Sequence, residues 1–140
     1  MFSQRIRSVM KRKKVLMAPP ETTVGKAAKL MAGKNVGAVM VVENERLVGI
    51  FTERDAVFRV MAQGRDVQTT RLADVMTTPP LTVDPDKSFG YALLMMQENG
   101  FRHVPVIENG KPIGIVSARN ALDPEMEEFI SEAQRRQHIS

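Results

Sequence analysis

The residues of this chain best suited to chemistry fall in two short runs of one pattern. Gly49-Ile50-Phe51-Thr52-Glu53-Arg54-Asp55 sets a hydroxyl and a carboxylate three positions apart, with an arginine between them. Gly114-Ile115-Val116-Ser117-Ala118-Arg119-Asn120 repeats the hydroxyl and the arginine and replaces the acid by an amide. A further pair, Arg102-His103, stands directly before Val104-Pro105-Val106. Covalent catalysis needs a nucleophile beside a base, and hydrolysis needs an acid–base pair or a metal. The chain has no cysteine, and its two histidines, His103 and His138, show no metal-ligand spacing. Neither histidine is spaced to activate Thr52 or Ser117. No Gly-x-x-x-x-Gly-Lys loop and no Gly-x-Gly-x-x-Gly fingerprint occurs. The chain is therefore not expected to be an enzyme. Local structure also has a use for the same residues. Thr-x-x-Asp at a helix start is a capping box, with Thr52 as N-cap and Asp55 at N3. Arg54 and Arg119 read equally as first-turn surface charges, and His103 as a strand-end residue with a local hydrogen bond.

The two runs belong to a longer internal repeat. At an offset of 65 residues, Val39-Met40-Val41-Val42-Glu43-Asn44 lies over Val104-Pro105-Val106-Ile107-Glu108-Asn109. Pro20, Gly25, Ala27 and Met31 lie over Pro85, Gly90, Ala92 and Met96 in the same register. Val9-Met10 matches Val75-Met76 at an offset of 66. The chain is two copies of one supersecondary unit.

Periodicity assigns the elements that must position these residues. A short extended lead-in (Leu16 to Ala18; Leu81 to Val83) ends at a proline, which disfavours helix just before it. Val24, Ala27, Ala28 and Met31 then recur at helical spacing, as do Phe89, Ala92, Leu93 and Met96. Thr23 and Ser88 stand at N-cap positions, and Gly33 and Gly100 at the stops. Two apolar strands follow in each copy: Ala38 to Val42 and Leu47 to Phe51, then His103 to Ile107 and Pro112 to Val116. Asn109-Gly110 suits a tight turn because both residues tolerate positive φ. A second helix starts near Thr52 and Ser117. The first of these ends at Gly64 and carries Val57, Phe58 and Met61 on one face. Asp123-Pro124 opens a C-terminal helix striped by Met126, Phe129, Ile130 and Ala133. The expected organisation is a basic helical lead (1–15), repeat one (6–64), a linker (65–72), repeat two (73–122) and a terminal helix (123–140). The fold class is α/β (α+β), strand-helix-strand-strand-helix twice, packed sheet to sheet with pseudo-twofold symmetry around a shared core.

Charge and composition narrow the partners. The net charge of +4 hides an asymmetry: six of the 20 basic residues and none of the 16 acids fall in residues 1–14. The remainder, 14 basic against 16 acidic, is −2. A nucleic-acid binder spreads its charge over a folded face; a patch at Lys11 to Lys14 is a weaker sign than a solvated helix. No stretch reaches the roughly 18 apolar residues of a membrane span, and no apolar segment follows the basic start as in a signal peptide. A cysteine-free chain fits a reducing, cytoplasmic setting.

The tandem unit resembles the CBS domain family, named after cystathionine β-synthase. The resemblance covers about residues 6 to 122. It rests on Val9-Met10 and Val75-Met76 opening the units, on the Gly-h-h-Thr/Ser-x-x-Asp/Asn stretch closing them, and on Arg102-His103-Val104-Pro105-Val106. It implies a regulatory module that binds an adenine nucleotide between its halves: AMP first, then ATP, ADP, NAD or S-adenosylmethionine. It also implies a homodimer or larger assembly, an unidentified regulated protein, and no obligatory cofactor or metal. The implied site is Gly49, Thr52, Arg54, Asp55, Arg102, His103, Gly114, Ser117, Arg119 and Asn120. Thr52 and Asp55 would hold the ribose; a carboxylate gives several acceptor lone pairs to a vicinal diol. Gly49 would admit the ligand to the backbone. Arg102, His103 and the motif arginines would meet phosphate. Val36 and Met40 would flank the adenine. Asn120 departs from the family's usual acid, and Arg102-His103 has only Gly37-Ala38 opposite it in repeat one, so the two sites should be unequal. Two other readings stand beside this one: a ligand-free dimerisation scaffold, and a nucleic-acid binder acting through the basic N-terminus.

Overall fold

The computed structural model describes residues 2–10 and 15–121, together with Ala133 and Arg136. Lys11 to Lys14, His138 and most of the C-terminal helix expected from Asp123 lie outside the described residues.

The order of elements is α1 (Ile6–Val9), β1 (Met17–Ala18), α2 (Val24–Lys34), β2 (Ala38–Glu43), β3 (Arg46–Thr52) and α3 (Glu53–Asp55), which continues as a π-helical stretch (Ala56–Met61). The second half runs α4 (Leu72–Val75), α5 (Phe89–Asn99), β4 (His103–Glu108), β5 (Lys111–Ser117) and a 3-10 turn (Ala118–Ala121). β1 pairs parallel with β2, which pairs antiparallel with β3. β4 pairs antiparallel with β5, and the lead-in of this half shrinks to a single parallel bridge, Val83 to Val106. The mixed helix and strand content is the α+β class read from the repeat.

Caps explain most boundaries. Thr23 Oγ1 accepts from Lys26 N at 3.3 Å and Ser88 Oγ from Tyr91 N at 3.2 Å. α5 stops at Gly100, whose φ of +71° is the left-handed C-cap. α2 does not stop at Gly33. It runs to Lys34, and Asn35 takes the left-handed position at φ 54°; asparagine tolerates that region and leaves the glycine inside the helix. Asn109 and Gly110 both have positive φ, as their turn demands.

Strand alternation separates two faces. Val39, Val41 and Phe51 point into one apolar core with Leu16, Val24, Ala27, Met31 and Val60. Val104, Val106 and Val116 enter a second with Val83, Phe89, Ala92 and Met96. The core is thus not shared between the halves, as expected from the sequence; each half has its own. The halves are joined by exchange of their opening helices. Ile6 of α1 and Met10 at its C-cap are buried in the core of repeat two, and Leu72 and Val75 of α4 in that of repeat one. The backbone repeats the exchange: Ile6 N donates to Lys87 O (2.9 Å) and Leu72 N to Thr22 O (2.8 Å). Arg7 clamps α1 onto its host through Asp86 and Glu108. The packing units therefore differ from the sequence repeats by one helix. The face that carries Val57, Phe58 and Met61 turns outward. They are 43%, 52% and 63% exposed, and Val60 is the residue that enters the core. The π-helical winding shifts the inward position away from the face expected for an α-helix.

Candidate functional site

The strand residues that alternate with the core line two clefts. Register places Ala38 opposite Thr52 and Met40 opposite Ile50, and likewise His103 opposite Ser117 and Pro105 opposite Ile115. One cleft, of about 680 Å³, gathers Ile50, Thr52, Arg54, Asp55, Phe58, Thr77, Leu81 and Phe101 with Glu53, Arg102 and His103. The other, of about 660 Å³, gathers Val36, Gly37, Ala38, Met40, Ile115, Ser117, Ala118, Arg119 and Asn120 with the same Glu53, Arg102 and His103. The clefts are counterparts under the repeat, and each takes its helix-start motif from one half and a strand entry from the other. Within each half, homologous backbone bonds hold the helix start against that half's own strand entry: Glu53 N donates to Gly37 O (3.1 Å) and Ala118 N to Arg102 O (2.9 Å).

Both motifs are capped alike. Thr52 N donates to Asp55 Oδ2 (3.0 Å), Asp55 N donates to Thr52 Oγ1 (3.3 Å), and the Thr52 hydroxyl donates to Oδ2 (3.2 Å). Ser117 N and Oγ donate to Asn120 Oδ1 at 2.8 and 3.2 Å. The capping box is therefore real in repeat one, and the amide performs the same bond to its N-cap in repeat two. Asp55 is 4% exposed; its Oδ1 accepts from the Thr77 hydroxyl (3.0 Å) and forms an ion pair with Arg59 Nε (3.5 Å). Those two come from side chains that can turn away. Arg54 lies over the Phe58 ring, 4.6 Å from its centroid. The exposed arginine is thus held at the cleft by a cation–π contact.

The wall between the clefts is asymmetric. A Cβ on Gly37 would run into the Glu53 carboxylate and lie 3.2 Å from His103 Nε2. The Glu53 and His103 side chains occupy the space beside Gly37, whereas the counterpart of Gly37 is Arg102. Burial lowers the pKa of His103, and the charge of Arg102 adds to this, while Glu53 opposes it.

Of the sequence-derived site, Thr52, Arg54 and Asp55 share one cleft, Ser117, Arg119 and Asn120 share the other, and Arg102 and His103 line both. Gly49 and Gly114 line neither. A Cβ on Gly49 would strike Met76 Sδ and lie 3.1 Å from Thr77 O, so this glycine admits the chain after α4 where a ligand was expected. Gly114 is buried in β5 opposite Val106. Val36 and Met40 line the Ser117 cleft, and the apolar flank of the Thr52 cleft is Phe58, Phe101 and Leu81. Sequence reasoning missed Glu53, Thr77 and the two phenylalanines. Glu53 was legible as the residue that breaks the repeat against Ala118. Thr77 was not, because it reaches Asp55 only through the exchange of α4.

Known proteins carry the same unit. The CBS domain family model matches residues 6–62 and 72–124. The chain is 37% identical over 125 residues to the mitochondrial CBS domain-containing protein CBSX3 of Arabidopsis thaliana, covering 86% of this chain and 61% of that protein. It spans less than two thirds of two of the curated relatives it matches, 61% and 64% of their lengths. An uncharacterized conserved protein of Pyrococcus horikoshii superposes with a TM-score of 0.81 at 28% identity, over 87% of this chain and 92% of that one. The CBS domain protein PAE2072 of Pyrobaculum aerophilum, solved complexed with AMP, has the same fold (TM-score 0.78, 24% identity, 92% and 99% covered). Two family matches that fall on the two sequence repeats, and relatives that share the fold across both, make this chain a member of the CBS domain family.

Proposed function

We propose that the chain is a regulatory module that binds an adenine nucleotide in the Thr52 cleft and has no catalytic activity of its own. The observation that carries this reading is the joint lining of one cleft by Asp55, Arg54, Arg102, Phe58 and Phe101. A base needs flat apolar walls, a ribose needs an acceptor for two hydroxyls, and a phosphate needs guanidinium forks. All three are within one cavity of about 680 Å³, inside the usual range of roughly 300–1,000 Å³ for small-molecule sites. The AMP complex of PAE2072 supports AMP as the first ligand to test, ahead of ADP, ATP, NAD and S-adenosylmethionine. Asp55 accepts from the ribose in place of Arg59 and the Thr77 hydroxyl. Because Thr77 follows α4, the ligand alters a contact that joins the two halves. The resulting change of angle or of assembly is the signal a partner protein reads. The exposed Val57, Phe58 and Met61 suit association with a second copy.

A thermal-shift series against these nucleotides tests the reading. A ligand at 100 times its Kd adds about 2.7 kcal/mol. Asp55→Asn isolates the site without disturbing the cap, since Asn120 already makes the same bond to Ser117. It lowers nucleotide affinity about tenfold, as the loss of a charged acceptor predicts, in protein that still unfolds cooperatively. Absence of any shift in protein stripped of bound nucleotide by unfolding and refolding moves the assignment to a ligand-free scaffold.

A further inference from the structure

Resting on the nucleotide reading, we propose that the Thr52 and Ser117 clefts exclude each other, so that one chain holds one nucleotide phosphate at a time. The two clefts meet at Glu53, Arg102 and His103, and all three side chains line both. A faithful repeat would give each cleft its own basic pair. Here the counterparts of Arg102 and His103 are Gly37 and Ala38, and the counterpart of Glu53 is Ala118. These small residues supply no second basic pair, so beyond the shared Arg102 and His103 the Ser117 cleft has Arg119 and the Thr52 cleft has Arg54 and Arg59. A Cβ at Gly37 would meet the Glu53 carboxylate, so that side chain now occupies the place where repeat two carries Arg102. One guanidinium offers its planar fork to one phosphate at a time. A second phosphate would reach the wall from the other side, with the fork already engaged and the Glu53 carboxylate left to repel it. The two clefts therefore compete for a shared anchor.

Isoleucine methyl labels report each cleft separately, because Ile50 lines only the Thr52 cleft and Ile115 only the Ser117 cleft. In a titration with AMP, the Ile50 signal shifts with one equivalent, and Ile115 keeps its free position through saturating AMP. Leu81 is 40% exposed and lines the Thr52 cleft alone, so Leu81→Trp fills that cleft. In Leu81→Trp, one equivalent of AMP shifts Ile115. Arg102→Ala weakens AMP at least tenfold both in the wild-type background, read at Ile50, and in the Leu81→Trp background, read at Ile115. Two equivalents in the wild type, with Kd values within threefold at the two isoleucines, overturn the exclusion and leave the nucleotide reading standing. So does an Ile115 signal that stays silent in folded Leu81→Trp, or an Arg102→Ala effect in one background only. Calorimetric stoichiometry on the wild type decides between one and two equivalents without any variant. If AMP moves neither isoleucine and gives no heat, the nucleotide reading itself falls.

Discussion

The exchange of opening helices makes a prediction that sequence order alone would reverse. Ile6 lies at the head of repeat one, yet its side chain is fully buried in the core of repeat two with Phe89, Val104 and Val116. Truncating such a residue removes its transfer energy and leaves a cavity, together about 2–5 kcal/mol for Ile→Ala. Unfolding entropy near 2.1 cal/mol/K per residue converts a loss of about 3 kcal/mol to a drop of about 10 °C in Tm for a chain of 140 residues. Thermal unfolding of Ile6→Ala measures the total. Amide hydrogen exchange locates it: β4 and β5 lose protection, and β2 and β3 keep theirs. Leu72→Ala gives the opposite pattern, since Leu72 is buried in the core of repeat one. A loss below about 1 kcal/mol, less than the cavity cost of any well-packed site, or protection lost first in β2 and β3 of Ile6→Ala, would refute the exchanged packing.

Two further predictions use single positions. Gly33 sits within α2 with nothing inside 4 Å of its would-be Cβ, whereas Gly100 caps α5 at φ +71°. Gly33→Ala should therefore raise stability by about 0.5–1 kcal/mol through helix propensity, and Gly100→Ala should lower it by about 1–2 kcal/mol through left-handed strain; denaturant melts giving the same sign for both would contradict these assignments. His103 has its pKa lowered by burial in the folded chain. The folded state then binds fewer protons than the unfolded one, so this contribution is present above the unfolded value of about 6.5 and lost as the pH falls below it. Comparing Tm at pH 7.5 and 5.5, the fall on acidification is smaller in His103→Gln than in the wild type, and equal falls would show that His103 does not carry it.

The repeat, the caps at Thr23 and Ser88, the strand pairs and the motif at each helix start were all legible in the sequence. They follow from local chemistry: an offset of 65 residues survives in residue types, an N-cap needs a hydroxyl before an apolar period, and Asn109-Gly110 can turn tightly wherever it stands. Arg102 and His103 were legible too, as a basic pair with no counterpart. What the sequence left open depends on which residues meet across the fold. It grouped Val57, Phe58 and Met61 on one face but could not say that this face turns outward, because the winding there is π-helical. It assigned Gly49 to a ligand, because the approach of Met76 and Thr77 is a contact between distant segments. It expected one shared core, because nothing in a repeat says that its opening helix will pack on the other copy. Thr77 reaches the Asp55 carboxylate only by that exchange. Whether Arg102 and His103 serve one cleft or two was likewise decided by tertiary structure. Residue types fix what a side chain can bind, and only the packing of both halves fixes which cavities it faces.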